Sequence, residues 1–411
     1  MKKPANRSGG SRRKFSANDI SLYALTIGSV VLAWQVAIQP LIQRAPVEIA
    51  IRLGPNSPMV LSRAAEAELL AGRNSNAASL SRDALARAPF DVRALRVLGL
   101  AEARSGRDAA ADDLITLAGN WSLRDDPAHA WLVERRLRQG DYGSAFAHAD
   151  TLVRRRPDIR PQVFRLFTLS AKEDGQAALP VLTSLLAEDP PWRRAYFNSL
   201  DATPEDLLVQ LNLAIMLQSS RAPLSNPELH HLYYALLNKG LIDALRTVRE
   251  RLGRPPQTTL VVNGGFDDAA APRPFQWSLT QTAGIASEIV ADDTRRDDLA
   301  LRVEHNGFAK VRITDQLMLL SPGSYRLSGE IRVEEGDAEH ILWTVSCLVG
   351  TRMSVSIAAD ARGSATWTPF SGLLEIPRDC PAQWLALEAR GGDRRSRTTV
   401  WFDRIAVTRV E

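Results

Sequence analysis

Trp131-Leu132, then Gly140-Asp141-Tyr142-Gly143-Ser144-Ala145, then Pro157 is the stretch on which the fold of this chain turns. Gly140 has counterparts at Gly72 and Gly106, 34 residues apart, and five residues after each glycine stands an alanine: Ala77, Ala111 and Ala145. Pro89 and Pro157 lie 17 residues after Gly72 and Gly140, Pro191 continues the series, and only Leu123 interrupts it. A fixed period of this length marks a stacked pair of helices, because one such pair cannot bury its apolar face alone. Arrays of this kind present an extended surface to partners, which argues against a catalytic domain in this stretch.

Working outward, Leu98-Gly99 precedes Gly106 in the second unit, and Ala65 holds the same place in the first, so a small residue lets the second helix of each pair pack close. A fourth unit drifts, with Gly175 one residue out of phase, Ala178, and Pro190-Pro191 closing it. The period is lost from Pro191 to Ser225, where Trp192, Tyr196, Phe197 and Leu207-Leu208-Val209-Leu211 predict amphipathic helices. It returns in Leu232, Tyr233, Leu236, Leu237, Gly240, Ala244 and Leu245, a closing helix pair that ends at Gly253 and Pro255-Pro256. Together these residues resemble the tetratricopeptide (TPR) family, and the resemblance implies a concave face that binds peptide segments or partner domains. Trp131, Tyr142 and the Leu/Ala stripe read as core. Arg135-Arg136 and Arg154-Arg155-Arg156 read as solvated helix faces.

Upstream, Lys2, Lys3, Arg7, Arg12, Arg13 and Lys14 precede an uncharged run from Ile20 to Gln43. That run is long enough to cross a bilayer, which takes about 20 apolar residues. With only Arg44 and Arg52 on the far flank, the charge asymmetry predicts a cytoplasmic N-terminus. The run is longer than a signal-peptide core, and Gln39-Pro40-Leu41-Ile42 offers no cleavage sequence, so an uncleaved anchor is expected. The segment from Ala45 to Pro58, with its prolines and a glycine, reads as a stalk.

After Pro256 short Val-, Ile-, Thr-, Trp- and Phe-rich segments alternate with Gly, Pro and Asp turns, which predicts an all-β sandwich. Strands are expected near 258–262, 284–290, 298–304, 309–316, 323–333, 340–349, 352–358, 365–375, 383–389 and 399–409. Alternation sorts their faces. Tyr325, Leu327, Ile331 and Val333 point one way and Arg326, Ser328, Glu330 and Arg332 the other; Leu385 and Leu387 share a face with Gln383, opposite Trp384 and Glu388. Trp343 shares its face with Val345, Cys347 and Val349 and reads as core.

Asn263-Gly264-Gly265-Phe266-Asp267, Pro274-Phe275-Gln276-Trp277, Tyr325 to Arg332, Trp367-Thr368-Pro369-Phe370 and Trp401 to Val407 occur in an order similar to that of jelly-roll carbohydrate-binding modules. The resemblance covers most of 258–411 and implies glycan binding through an aromatic plane flanked by charged and amide groups. The candidate ligand face is Glu330, Arg332, Trp384 and Glu388, with Arg302 and Glu304 as additions, while Trp367 and Trp401 match positions the family usually buries. The family's structural calcium would fall to Asp267 and Asp403, two carboxylates against the roughly six oxygens such a site takes.

Cys347 and Cys380, the only cysteines, form a disulfide in an oxidising compartment or remain two separate buried thiols. No zinc spacing, phosphate loop, dinucleotide fingerprint or nucleophile elbow is present, and the adjacent His230-His231 point about 100° apart on a helix and chelate poorly. With 51 basic against 47 acidic residues, nucleic acid is not an expected partner. The chain of 411 residues therefore reads as multidomain: a cytoplasmic tail (1–19), a single transmembrane helix (20–43), a stalk (44–58), an all-α TPR-like helical-repeat domain (59–256) and a C-terminal all-β jelly-roll sandwich (257–411). The expected function is that of a non-enzymatic scaffold, anchored in a bacterial inner membrane with its bulk periplasmic. Its expected partners are envelope or polysaccharide-assembly proteins and polysaccharide, and the alternative is a scaffold for proteins alone.

Overall fold

Each of Gly72, Gly106 and Gly140 sits in the left-handed region, at φ +76°, +75° and +71°, where a side chain would be strained. There the chain turns from one helix into the next. The N–H of the following residue reaches back five positions, from Arg73 to the Glu68 carbonyl (2.9 Å), Arg107 to Glu102 (3.0 Å) and Asp141 to Arg136 (2.9 Å), satisfying the last carbonyls of the first helix. The 34-residue period is thus a recurring helix C-cap.

The computed structural model describes residues 25, 26, 28–30, 33, 44–200, 203–252, 260–268, 271–295, 298–348, 354–358, 365–393 and 395–410, and the chain divides into two units, Met1–Leu152 and Val153–Glu411. The expected span at 20–43 lies almost wholly outside the described residues. Among those described, no helix is long and apolar enough to cross a membrane.

In the first unit α1 (Val47–Leu53), α2 (Pro58–Leu70), α3 (Asn74–Arg87), α4 (Val92–Arg104), α5 (Asp108–Trp121) and α6 (Asp126–Arg138) follow one another, with α7 starting at Tyr142. The stalk expected at 45–58 is corrected here: Pro46 precedes a helical turn whose Ala50 packs with Val60 of α2, and Gly54 ends it. Ala65, Leu69, Ala77, Ala78, Val97, Leu98 and Ala101 form one core across three helices; Leu95, Ile115, Ala118, Ala128 and Leu132 continue it. A Cβ on Gly99 would come within 2.5 Å of Ile115, so the close approach of the second helix is real at that place. Arg135 and Arg136 do not lie on a solvated face. Arg136 clamps Asp112 of the preceding helix at 2.7 Å and Thr116 at 2.8 Å, and burial of the paired charges orders the junction. Arg96, itself buried, joins Glu66 (2.7 Å) to Asp125 (2.8 Å) across successive pairs.

The second unit carries the later helices and the sandwich. Arg160–Glu173 and Gly175–Ala187 form the drifting pair; here Asp174 caps the second helix through the Ala177 N–H (3.2 Å), replacing the left-handed glycine. Pro204–Gln218 opens with a Thr203/Asp206 capping box. The closing pair, Asn226–Asn238 and Ile242–Leu252, regains the glycine turn at Gly240 (φ +70°). Arg246 of that pair donates to the Leu319 and Pro381 carbonyls (2.6 and 3.2 Å), and Arg249 lies 4.1 Å over Phe275.

Among the described residues, ten strands form two five-stranded antiparallel sheets. They are β1 (Ser278–Leu279), β2 (Ile285–Ala291), β3 (Leu299–His305), β4 (Val311–Met318), β5 (Gly323–Glu335), β6 (Ile341–Cys347), β7 (Ser354–Ala358), β8 (Thr368–Ile376), β9 (Gln383–Ala389) and β10 (Thr398–Arg409). One sheet runs β1-β4-β9-β6-β7 and the other β2-β3-β10-β5-β8. Leu301, Val303, Ile331, Trp343, Leu385, Leu387 and Phe402 meet between them, with Trp343 and Phe402 edge to face at 5.7 Å. The strand expected at 258–262 is absent over its described residues, 260–262. Val262 instead has both backbone groups taken by the Gln316 side-chain amide (2.7 and 2.8 Å) while Val261 fills the core, which leaves no ladder to join. Cys347 and Cys380 are joined by a disulfide.

Candidate functional site

Along β10 the alternation puts Val400 and Phe402 into the core and Trp401 on the outer face of its sheet. Trp401 is buried as expected, 6% exposed, but under the side chains of the outer face and not between the sheets, while Trp367 is only half-buried. The register places Arg302 of β3 and Arg332 of β5 on either side of Trp401. Their guanidiniums lie 5.8 and 4.4 Å from its ring centre, within range of cation–π attraction, and the indole N–H donates to Glu334 at 2.7 Å. Trp367, just before β8, continues the row: Arg332 stands 5.8 Å from its ring and Arg295 4.3 Å, and its N–H donates to Asp292 at 2.9 Å. Two indoles and three guanidiniums thus alternate across the sheet.

Carboxylates close this lattice. Arg302 holds Glu288 (3.0 Å) and Glu304 (2.7 Å), Arg332 holds Asp293 (2.8 Å) and Asp292 (3.3 Å), and Arg295 reaches Asp403 (2.9 Å) and Glu330. Asp292 is held below the usual carboxylate range: burial raises it, but hydrogen bonds from Thr294 and Trp367 and the Arg332 charge outweigh that. Asp403 goes the other way, pushed up to about 6 by burial, against the Arg404 N–H, with the Asp298 charge adding to the rise. Glu288, Asp293 and Glu334 keep much of their surface in solvent, so carboxylate acceptors ring the indoles on the open side.

Of the candidate residues, Arg302, Glu304, Glu330 and Arg332 come together on this face. Trp384 and Glu388 do not: they belong to β9, in the opposite sheet, where Glu388 faces Arg312 at 3.4 Å. Alternation assigns a face within a strand, but which of two sheets a strand joins depends on pairing, and that is where the sequence argument stopped. The residues it missed are Asp292, Asp293 and Arg295, in the turn after β2. Their signal is a run of opposite charges between two apolar strands.

The residues around Asp403 do not fit calcium. Asp267 accepts from the Leu299 N–H at 3.1 Å, one Asp403 oxygen accepts from the Arg404 N–H at 2.6 Å, and the other from Arg295 at 2.9 Å. Among the described residues no group of three or more His, Cys, Asp or Glu is placed to hold a metal ion. The Arg295 guanidinium lies against Asp403 in its stead. Nearby, a 670 Å³ cleft between 260–265 and 404–409 is lined by Asn263, Arg404, Thr408, Arg409, glycines and aliphatic groups, with no ring for a sugar to stack on.

No family model matches the chain, and no curated protein matches it. Several solved structures align with part of it. The CBM22-1 xylan-binding domain from Paenibacillus barcinonensis is 14% identical, with 34% of this chain and 88% of that one covered and a TM-score of 0.26. The CBM22-1–GH10 modules of a Clostridium thermocellum xylanase, solved with xylohexaose, are 18% identical over 37% of this chain and 28% of that one, at a TM-score of 0.28. TmCBM61, solved with β-1,4-galactotriose, is 15% identical over 38% of this chain and all of that one, at 0.24. At such scores the likeness carries no argument about binding.

Proposed function

We propose that this chain is a non-enzymatic scaffold of the bacterial cell envelope. It is anchored in the inner membrane by the run at 20–43, binds protein partners through TPR-like helix pairs, and engages glycan on the outer face of the β2-β3-β10-β5-β8 sheet. Exopolysaccharide or envelope-polysaccharide assembly or export is the setting that joins those parts. The observation that carries the sugar reading is the half-exposed Trp367 indole at the end of the row, with the solvent-facing carboxylates beside it, because pyranose recognition combines an apolar ring face with hydroxyl acceptors. The Cys347–Cys380 bond supports a location outside the reducing cytoplasm. Affinity electrophoresis of the full chain against a polysaccharide panel tests the reading: retention is expected, and Trp367→Ala, at the more open end of the row, is expected to weaken it several-fold.

A second reading is favoured by a specific feature of the same face. Arginines cover the ring faces of both tryptophans, so a sugar would have to displace a guanidinium to stack. If no polysaccharide retains the folded chain, the face serves the sandwich itself and the molecule is a scaffold for proteins alone. Release of product from any polysaccharide would remove the non-enzymatic part of both readings.

A further inference from the structure

The helices of the first unit alternate in direction, so the N-termini of α2, α4 and α6 share one edge of the array with the turns at 54–57, 88–91 and 122–125. That edge is unusually apolar for an exposed rim. Ile49, Leu53, Phe90, Trp121 and Leu123 are 50, 48, 76, 43 and 64% exposed. Phe90 and Trp121, from different repeats, touch with ring centres 5.0 Å apart, so the patch is contiguous across the junction. Leu123 stands where the neighbouring repeats carry Pro89 and Pro157. None of these side chains is needed by the core, and monomeric proteins rarely leave such groups together without a use.

Charge and chain entry indicate what covers the edge. Arg44, Arg52, Arg87 and Arg124 are exposed along it, and none has a carboxylate partner among the described residues; Arg87 donates to the Asp83 carbonyl. Of the acids on this edge, Asp91 and Asp125 are tied into the N-caps of α4 and α6 through the Ala94 and Ala128 N–H groups at 3.0 Å each, Asp126 is half-buried in the first turn of α6, and Glu48 of α1 is exposed. The uncharged run ends at Gln43, four residues before α1, and α1 lies against the first turns of α2. We infer that this edge rests on the surface of an anionic bilayer: Trp121, Phe90 and Leu123 enter the headgroup layer, Ile49 and Leu53 of α1 lie beside them, and the four guanidiniums meet lipid phosphates. The inference rests on the anchor reading of 20–43.

The full chain, reconstituted in liposomes containing phosphatidylglycerol, tests it. With Cys347 and Cys380 paired, Leu123→Cys offers one free thiol for an environment-sensitive fluorophore, and Arg138→Cys, at the opposite edge, is the reference. Position 123 is expected to shift to the blue and to be quenched by brominated lipid, position 138 to do neither, and Arg87→Glu with Arg124→Glu to reduce the shift at 123. If the chain floats with the vesicles but position 123 behaves like 138, the edge faces water or a protein and the inference fails alone. Failure to float with the vesicles overturns the anchor, and this inference with it.

Discussion

Two titrating side chains, one in each unit, pull stability in opposite directions with pH. His129, buried, has its Nε2 3.2 Å from the Ser122 carbonyl and its Nδ1 3.0 Å from His148 Nδ1. Burial lowers His148 to about 4, with the neighbouring His129 and Arg136 adding to the drop and Asp141 opposing it. The unfolded chain then takes up this proton first, so the contribution is present above about pH 6.5 and is lost as pH falls toward 4. A urea midpoint followed by helical ellipticity is expected to fall between pH 7 and pH 5, and His148→Gln to flatten that slope. For Asp403 the folded value is the higher one, about 6 against 3.8, so stability is lost as pH rises through that window. Among the described residues Arg295 is the one guanidinium within 3 Å of Asp403, and Arg295→Ala is expected to cost more melting temperature at pH 8 than at pH 5. An equal loss at both would mean that Arg295 acts only by packing.

At the scale of elements, the disulfide ties the end of β6 to the segment entering β9, and these strands are already paired through Cys347 and Gln383. Its effect is therefore chiefly on the unfolded chain. Closing a loop between positions 33 apart restrains that chain by about 3–4 kcal/mol, so the double Cys→Ser variant is expected to unfold at correspondingly lower denaturant with the sheet order retained. The helix turns were legible because left-handed glycine is a local demand: a residue without Cβ recurs wherever the chain must reverse. The faces of β5 and β9 were legible for the same reason, since period two is written residue by residue. What escaped were decisions made by distant partners. Gln316 replaces a strand neighbour for Val262, and the turn holding Arg295 crosses to β10 and β5. The helix at Val47–Leu53 hid behind its prolines because Pro46 is tolerated just before a helix start.

Across the whole molecule, the repeated and the irregular parts carry different information. A period can be counted, so the helix pairs of the first unit were foreseen with their junctions; Arg96 and Arg136, which lock successive pairs, were not, since arginine on a helix reads as solvent-facing until a carboxylate is placed opposite. The candidate face on the sandwich has the same character. Two of its residues, Glu330 and Arg332, follow from alternation, yet its centre, Trp401 between two guanidiniums, exists only once three strands are in register. Arg295 extends that logic to Asp403 and Glu330 on the β2-β3-β10-β5-β8 sheet. A counter-ion borne on the polypeptide is never diluted, exchanged or stripped by a chelator. The sandwich brings its own positive charge to this joint, so Asp403 and Glu330 meet their counter-charge wherever the chain is delivered.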